Sequence, residues 1–89
     1  MRAVISVIGK DSKGIIAKTS MLLYENGINI LDISQTIMQE LFTMIMLVDL
    51  SEASKNVDAL RKDLDILAEE MGVSINVQHE DVFSSMHRI

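Results

Sequence analysis

The chain has 89 residues, a net charge of −5 and no cysteine. This length predicts a single small domain over 1–89, and the missing cysteine excludes a disulfide framework and a thiolate metal site. The acidity argues against nucleic acid or an anionic membrane as a partner. No apolar run reaches the roughly 18 residues of a membrane-spanning helix, and no signal-peptide pattern opens the sequence, so we expect a cytoplasmic protein. Hydrophobic residues make up 48% of the chain, which favours apolar surface hidden between subunits.

The first part of the chain predicts strand, helix and strand. Residues 2–9 alternate between two faces, and residues 14–26 predict a helix that ends at Gly27. Residues 28–39 predict a long second strand. Its alternation places Leu31, Ile33 and Ile37 on one face and Asp32, Ser34 and Thr36 on the other.

The second part predicts strand, helix and strand again. A tight turn near Gln39 and Glu40 leads to a third strand over 41–50, whose two faces are both apolar, as in a central strand covered on both sides. Ser54 or Asn56 begins a second helix with one apolar stripe, and Gly72 ends it. The stripe comprises Val57, Leu60, Leu64, Leu67 and Met71.

Residues 73–79 predict the fourth strand and close a core over 1–79. The tail over 80–89 carries apolar residues at helical spacing, which predicts a short docked turn; these are Val82, Phe83, Met86 and Ile89. The element order β-α-β-β-α-β is that of the ferredoxin-like α+β sandwich, a four-stranded antiparallel sheet with two helices on one face. In this topology strand 3 lies between strands 1 and 2, and strands 2 and 4 form the edges.

The first helix predicts contact with a partner. At 100° per residue it has one apolar face of Ile15, Ile16, Leu22 and Leu23 and a second one of Ala17, Met21 and Tyr24. The second helix has only one apolar face. We therefore expect a homodimer that associates through strand 2 and helix 1.

The turn from strand 1 into helix 1 is the most informative motif. Residues 9–16 read GKDSKGII, and a strand that turns sharply into a helix leaves backbone N–H groups free for a carboxylate or phosphate. Gly14 permits close approach to the backbone. The simpler interpretation is that Asp11 or Ser12 only caps the helix and the glycines only form turns.

Several functions of this fold are disfavoured by the residues present. A heavy-metal chaperone needs Cys-x-x-Cys in the first loop, and the chain has no cysteine. An RNA-recognition domain needs aromatic residues on strands 1 and 3 and a basic surface, whereas the aromatic residues are Tyr24, Phe42 and Phe83 and the chain is acidic. An acylphosphatase-like site would carry an arginine in the first loop, where only Lys10 and Lys13 occur.

The loop motif Gly9-x-Asp11-x-x-Gly14-Ile15-Ile16-Ala17, followed by residues 26–36 (NGINILDISQT), resembles the ACT-domain family. The similarity extends from Met1 to about His79 and is greatest to the small stand-alone ACT proteins of bacteria and archaea. The resemblance implies a regulatory domain that dimerises and binds an amino acid or similar small ligand at the interface. Members that bind amino acids often carry Pro-Gly where this chain has Lys13-Gly14.

The predicted topology itself favours a site between two chains. Strands 1 and 2 run parallel, so the loop after strand 1 and Asn29 lie at opposite ends of one sheet. If two edge strands 2 pair antiparallel about a two-fold axis, Asn29 of one chain moves toward the loop of the other. The pairing also covers an edge that would otherwise invite uncontrolled association.

The expected ligand-binding residues are Asp11, Ser12, Lys13, Gly14, Ile15, Asn29 and Ile30. N–H groups at the start of helix 1, with Lys10 or Lys13, would hold a carboxylate, Asp11 an ammonium group, and Asn29 would donate and accept. Capping by Asp11, ordinary strand-entry bonding by Asn29 and solvated lysines remain the alternatives.

We expect neither catalysis nor a cofactor. His79 and His87 lie apart from any persuasive nucleophile, a His79/Asp81/His87 metal site is disfavoured, and the seven methionines are expected to fill the core. Two functions remain open. One is a small-molecule-sensing regulatory homodimer, and the other is a protein-interaction module that regulates a partner without a ligand.

Overall fold

The computed structural model describes residues 1–10 and 14–86, except the side chain of Met86. Its elements in chain order are β1 (Arg2–Lys10), α1 (Ile15–Glu25), β2 (Asn29–Met38), β3 (Leu41–Asp49), α2 (Val57–Met71), β4 (Val73–His79) and α3 (Glu80–Met86). The strands form one antiparallel sheet in the order β2-β3-β1-β4, with helices on one side. The ferredoxin-like arrangement and the central place of β3 are therefore confirmed.

The core lies between one face of the sheet and the two long helices. Alternate residues of β1 and β3 face it, including Ile5 and Met46, which are directly opposite each other in register. Leu60 and Leu64 of α2 close it from above, one helical turn apart. Met44 and Met46 fill the core as predicted, whereas Met21 and Met38 are exposed.

A β-bulge corrects the predicted alternation of β2. From Asp32 to Met38 the strand pairs with β3 in hairpin register, but the register shifts by one between Ile30 and Asp32. Ile30 therefore lies opposite the core residue Val48, and Leu31 has no partner in the register. Because the side-chain period of a strand is two, one inserted residue exchanges the faces of everything before it.

Two expectations about buried faces are also wrong. In α1 the buried side chains are Ile15, Thr19 and Leu23, spaced four residues apart, while Ile16 is exposed. In β3 only one face is covered, because Leu41 and Ile45 on the other face are exposed. The sheet therefore has an open face.

The ends of α2 are set by local chemistry. Asn56, not Ser54, is the N-cap, because its side-chain oxygen accepts the backbone N–H of Ala59 at 2.8 Å. Ser54 instead donates its own N–H to the carbonyl of Asn26 at 2.9 Å. Gly72 ends the helix in a left-handed conformation, as predicted.

The tail forms the short helix α3, which contacts β1 and β4. Arg2 of β1 pairs with Glu80 at 3.2 Å, Phe83 is partly buried, and Val82 is exposed. Ile89 lies outside the described residues. Within the described part of the chain, no helix is both long enough and apolar enough to cross a bilayer.

Candidate functional site

The loop between β1 and α1 is described only at its ends. Asp11, Ser12 and Lys13 lie outside the described residues, so their predicted roles have no structural test. The N-cap position of α1 is Gly14, with φ of +89°. Its carbonyl accepts the Lys18 N–H at 2.8 Å. Among the described residues, an added Cβ at Gly14 would have only Lys18 Cε within 4 Å, at 3.9 Å.

Two of the predicted ligand residues direct their side chains into the protein. Ile15 is part of the hydrophobic core, and Ile30 is partly buried and packs against that core. In a site, Ile15 and Ile30 would therefore contribute backbone groups.

Asn29 is exposed and begins β2 directly opposite Asp49, the last residue of β3. The Asp49 carboxylate accepts two hydrogen bonds from Ser51, one from the hydroxyl at 2.6 Å and one from the backbone N–H at 2.9 Å. These bonds, with a smaller contribution from the N-terminal ammonium group 3.8 Å away, lower the pKa of Asp49 below its ordinary value of 3.8. An ionised carboxylate therefore stands beside the Asn29 amide.

An open cleft of about 430 Å³ lies at this end of the sheet. Asn29, Asp49 and Ser51 line it, together with Tyr24 at the end of α1 and Glu52. The cleft offers a phenol, an amide, a hydroxyl and two carboxylates. These groups suit a polar ligand that carries hydrogen-bond donors or a positive charge.

The wall of this cleft is built by a close contact between two turns. Gly27 follows α1 with φ of +69°, and a Cβ at this position would lie 2.9 Å from the Glu52 carbonyl oxygen. The preceding Asn26 bonds the Leu22 carbonyl through its side-chain amide at 2.8 Å and accepts from Ser54. The cleft geometry therefore depends on glycine at position 27 and on the buried Asn26.

The two halves of the predicted site are far apart within one chain. Lys10 pairs with Leu41 at one end of the sheet, whereas Arg2, Asp49 and Asn29 share the other end. Eight residue steps along β1 correspond to about 26 Å. Gly14 and Asn29 of a single chain therefore do not form one pocket.

No metal centre is found among the described residues, where no group of three or more His, Asp or Glu side chains could hold an ion. His79 faces Asp81, with Nδ1 3.7 Å from the carboxylate and accepting the Asp81 N–H at 3.2 Å. His87, the third residue of the disfavoured metal site, lies outside the described part.

The pattern of the sequence does not predict Asp49, Ser51 and Tyr24 as neighbours of Asn29. A hairpin counted outward from the turn at Gln39 and Glu40 would pair Asn29 with Leu50. The bulge at Leu31 replaces Leu50 by Asp49. A bulge leaves no reliable mark in one sequence, so no signal could have identified the pair.

The fold is that of the ferredoxin-like α+β sandwich. Residues 2–78 match the ACT domain family, and the chain belongs to that family. It is 58% identical over 88 residues to a UPF0237 protein of Methanocaldococcus jannaschii, covering 99% of this chain and 98% of that protein. A UPF0237 protein of Clostridium acetobutylicum is 56% identical over 89 residues, with both chains fully covered.

Solved structures agree with this assignment. An ACT domain protein from Streptococcus pneumoniae superposes with a TM-score of 0.81 at 40% identity, covering 93% of each chain. The regulatory subunit of aspartate kinase from Thermus thermophilus superposes with a TM-score of 0.67 at 25% identity, covering 86% of this chain and 50% of that one. The chain is therefore a small ACT protein, and the ACT domain is a regulatory, ligand-binding type of domain.

Proposed function

We propose that the chain is a regulatory homodimer that binds an amino acid or a similar small metabolite at the subunit interface. It acts by binding and not by catalysis, in the cytoplasm. The observation that supports the proposal is that β2 is an edge strand of the sheet. This edge strand holds Asn29 at one end of the sheet, and its exposed outer edge can pair with a second copy.

The exposed apolar residues of β2 and α1 support dimerisation. Ile33 and Ile37 lie on the helix side of the sheet, because their register partners Met46 and Phe42 are core residues. Ile37 is nevertheless 55% exposed, whereas Phe42 is buried. On α1, Tyr24 is 78% exposed. Exposed apolar groups on a free strand edge are the features that protein interfaces cover.

Antiparallel pairing of two β2 strands would build the ligand site. The Asn29 end of one chain would then lie beside the Met38 end of its partner. Three strand spacings, about 14 Å, would separate Asn29 from the partner's Lys10. A small metabolite and the intervening side chains fill such a gap. Two identical pockets would result from one two-fold axis.

The charges around the pocket favour a zwitterion. Lys10, Lys13 and the N–H groups at the start of α1 would hold a carboxylate on one side. Asp11, and across the interface Asn29 with the ionised Asp49, would hold an ammonium group. An amino acid carries both groups.

Thermal unfolding against the amino acids and related metabolites tests the proposal. A ligand at about 100 times its Kd stabilises the folded state by about 2.7 kcal/mol, so a binder should raise Tm clearly. Asn29→Ala should abolish the rise. Asn76→Ala, an exposed asparagine on β4, is the matched control and should retain it.

The alternative is a protein-interaction module without a ligand. The exposed residues of α1 and β2 would serve a regulated partner equally well. A dimer whose Tm no metabolite shifts, together with a defined partner whose binding is lost on Tyr24→Ala, would favour this alternative and contradict ligand sensing.

A further inference from the structure

The open face of the sheet has an unusual composition for an acidic protein. Residues that lie opposite one another in register share a face, so the two middle rows of this face can be read directly. One row is Ser34, Ile45, Ser6 and Asn76, and the next is Thr36, Thr43, Ile8 and Ser74. Neither row contains a charged side chain, although 24% of the chain is charged.

The centre of this face is a checkerboard of large and small side chains. On the two central strands, Ile45 lies beside Ser6 in one row, and Thr43 lies beside Ile8 in the next. Ile8 is 43% exposed and Ile45 is 39% exposed. The two isoleucine side chains therefore project from the sheet, and the other two central positions hold the shorter hydroxyl residues Ser6 and Thr43.

This pattern is complementary to itself. In aligned packing of two sheets, a two-fold axis in the plane between the two faces runs along the strands or across them. Along the strands it exchanges β1 and β3, and across them it exchanges the two rows. Both operations place each isoleucine of one copy over Ser6 or Thr43 of the other, which is how packed sheets interdigitate.

We propose that two copies of the chain stack through their open sheet faces, with Ile8 and Ile45 of each seated over Ser6 and Thr43 of the other. The partner is a second copy because the surface is complementary to its own two-fold image. Its middle rows are also uncharged, so two acidic chains could associate there without repulsion between like charges.

The free and uncharged part of this face is its two middle rows. Charged side chains lie at the ends of the face, where Asp32 is opposite Leu47 and Lys10 is opposite Leu41. α3 contacts β1 and β4, and Val4 is buried at its end of the face.

This surface is separate from the β2 edge, so the two contacts would combine into a dimer of dimers. Sedimentation velocity at chain concentrations from about 5 to 200 µM measures association through each of the two contacts. We expect the wild-type chain to reach four times its mass of 9.9 kDa. Ile45→Thr should raise the dissociation constant of this contact at least about tenfold, since it removes an interface anchor. Threonine is β-branched and is retained well in strands.

Thr43→Ile distinguishes complementary packing from non-specific hydrophobic association. It adds apolar surface but replaces a small position of the checkerboard by a large one, so we expect it to weaken association as Ile45→Thr does. Ile66→Thr on α2, where Ile66 is 66% exposed, is the matched control and should leave the mass unchanged. Circular dichroism and urea unfolding verify the fold of each variant.

Ile37→Asp disrupts the β2 contact of the proposed function and leaves the stacked faces unchanged, so the two contacts can be tested separately. Loss of the four-chain species to a two-chain species by either Ile37→Asp or Ile45→Thr supports two separate contacts. A two-chain wild type that Ile37→Asp leaves intact and Ile45→Thr dissociates would support the stacked faces and contradict the β2 dimer. Stacking is overturned if Ile45→Thr and Thr43→Ile leave the wild-type mass unchanged, or if Thr43→Ile strengthens association.

Discussion

Asn29 lies directly opposite Asp49 where β2 begins and β3 ends, because the bulge at Leu31 shifts the register by one residue. Without the bulge, Asn29 would oppose Leu50, and Ile30 would leave its place opposite the core residue Val48. One inserted residue therefore packs Ile30 against the core and also places an amide beside an ionised carboxylate at the mouth of the cleft.

Ser51→Ala should destabilise the protein at neutral pH and make its stability depend less on acid than that of the wild type. The Ser51 hydroxyl is the largest cause of the lowered Asp49 pKa, so its loss should move that pKa back toward 3.8. A carboxyl whose pKa is lower in the folded than in the unfolded state stabilises the fold above the unfolded value and loses this effect as pH falls through the folded value.

The variant should therefore be less stable than wild type at neutral pH, and the difference should shrink below Asp49's ordinary pKa of 3.8. Urea unfolding across pH and NMR titration of the Asp49 carboxyl measure both effects. Ser74→Ala, an exposed serine on β4, should show no such pH dependence. A pH-independent Ser51→Ala difference would contradict the assignment.

Gly14→Val should destabilise the fold by about 1–2 kcal/mol, since φ of +89° is costly for a residue with a Cβ, most of all a β-branched one. Gly14→Asn should cost less, because asparagine tolerates the left-handed region. Equal unfolding free energies for the two variants would show that backbone conformation does not decide this position.

Thr19→Val should stabilise the fold by about 1 kcal/mol, because it removes a buried hydroxyl. The Thr19 Oγ1 atom has no hydrogen-bond partner among the described residues. Thr19→Ser keeps the hydroxyl and deletes the methyl group, so it should destabilise instead. Thermal and urea unfolding of the pair give the sign, and a loss of stability in Thr19→Val would indicate an acceptor for the hydroxyl.

Ile33→Cys should form a disulfide-linked dimer under mild oxidation if two β2 strands pair antiparallel about a two-fold axis at their middle, near Ile33. The two Cα atoms at position 33 would then lie about 6 Å apart, within the range that a disulfide spans. Ile33 is exposed on the helix side of the sheet, away from the open face, and the chain has no other cysteine. Met38→Cys, at the strand end, should cross-link poorly because its copies lie far apart. Efficient cross-linking at Met38 but not at Ile33 would exclude this pairing.

Much of the fold follows from hydrophobic periodicity and turn residues. The alternation in 2–9 and 73–79, the glycines at 27 and 72 and the turn at Gln39 and Glu40 determine the elements almost to the residue. The predictions that were wrong concern features that depend on the packing of the elements in three dimensions. The bulge at Leu31, the burial of Thr19 in place of Ile16 and the open face of β3 depend on which surfaces the helices cover.

The candidate site was predictable in outline only. Asn29 lies at the cleft, as its exposed place at the start of β2 suggests, but Asp49 and Ser51 come from the far side of a hairpin. Sequence spacing could not bring them together, because the register depends on the bulge.

Ligand binding by a purified heterodimer tests the central claim most directly. Asp11→Ala and Asn29→Ala chains are given different tags, exchanged and isolated as mixed dimers. Each mutant homodimer should bind the identified metabolite about 1–3 kcal/mol more weakly, because a buried polar group loses its partner. In the heterodimer one pocket carries both defects and the other carries none. Calorimetry should therefore find one site per dimer with wild-type affinity, whereas a heterodimer that binds no better than its parents would contradict a pocket shared between two chains.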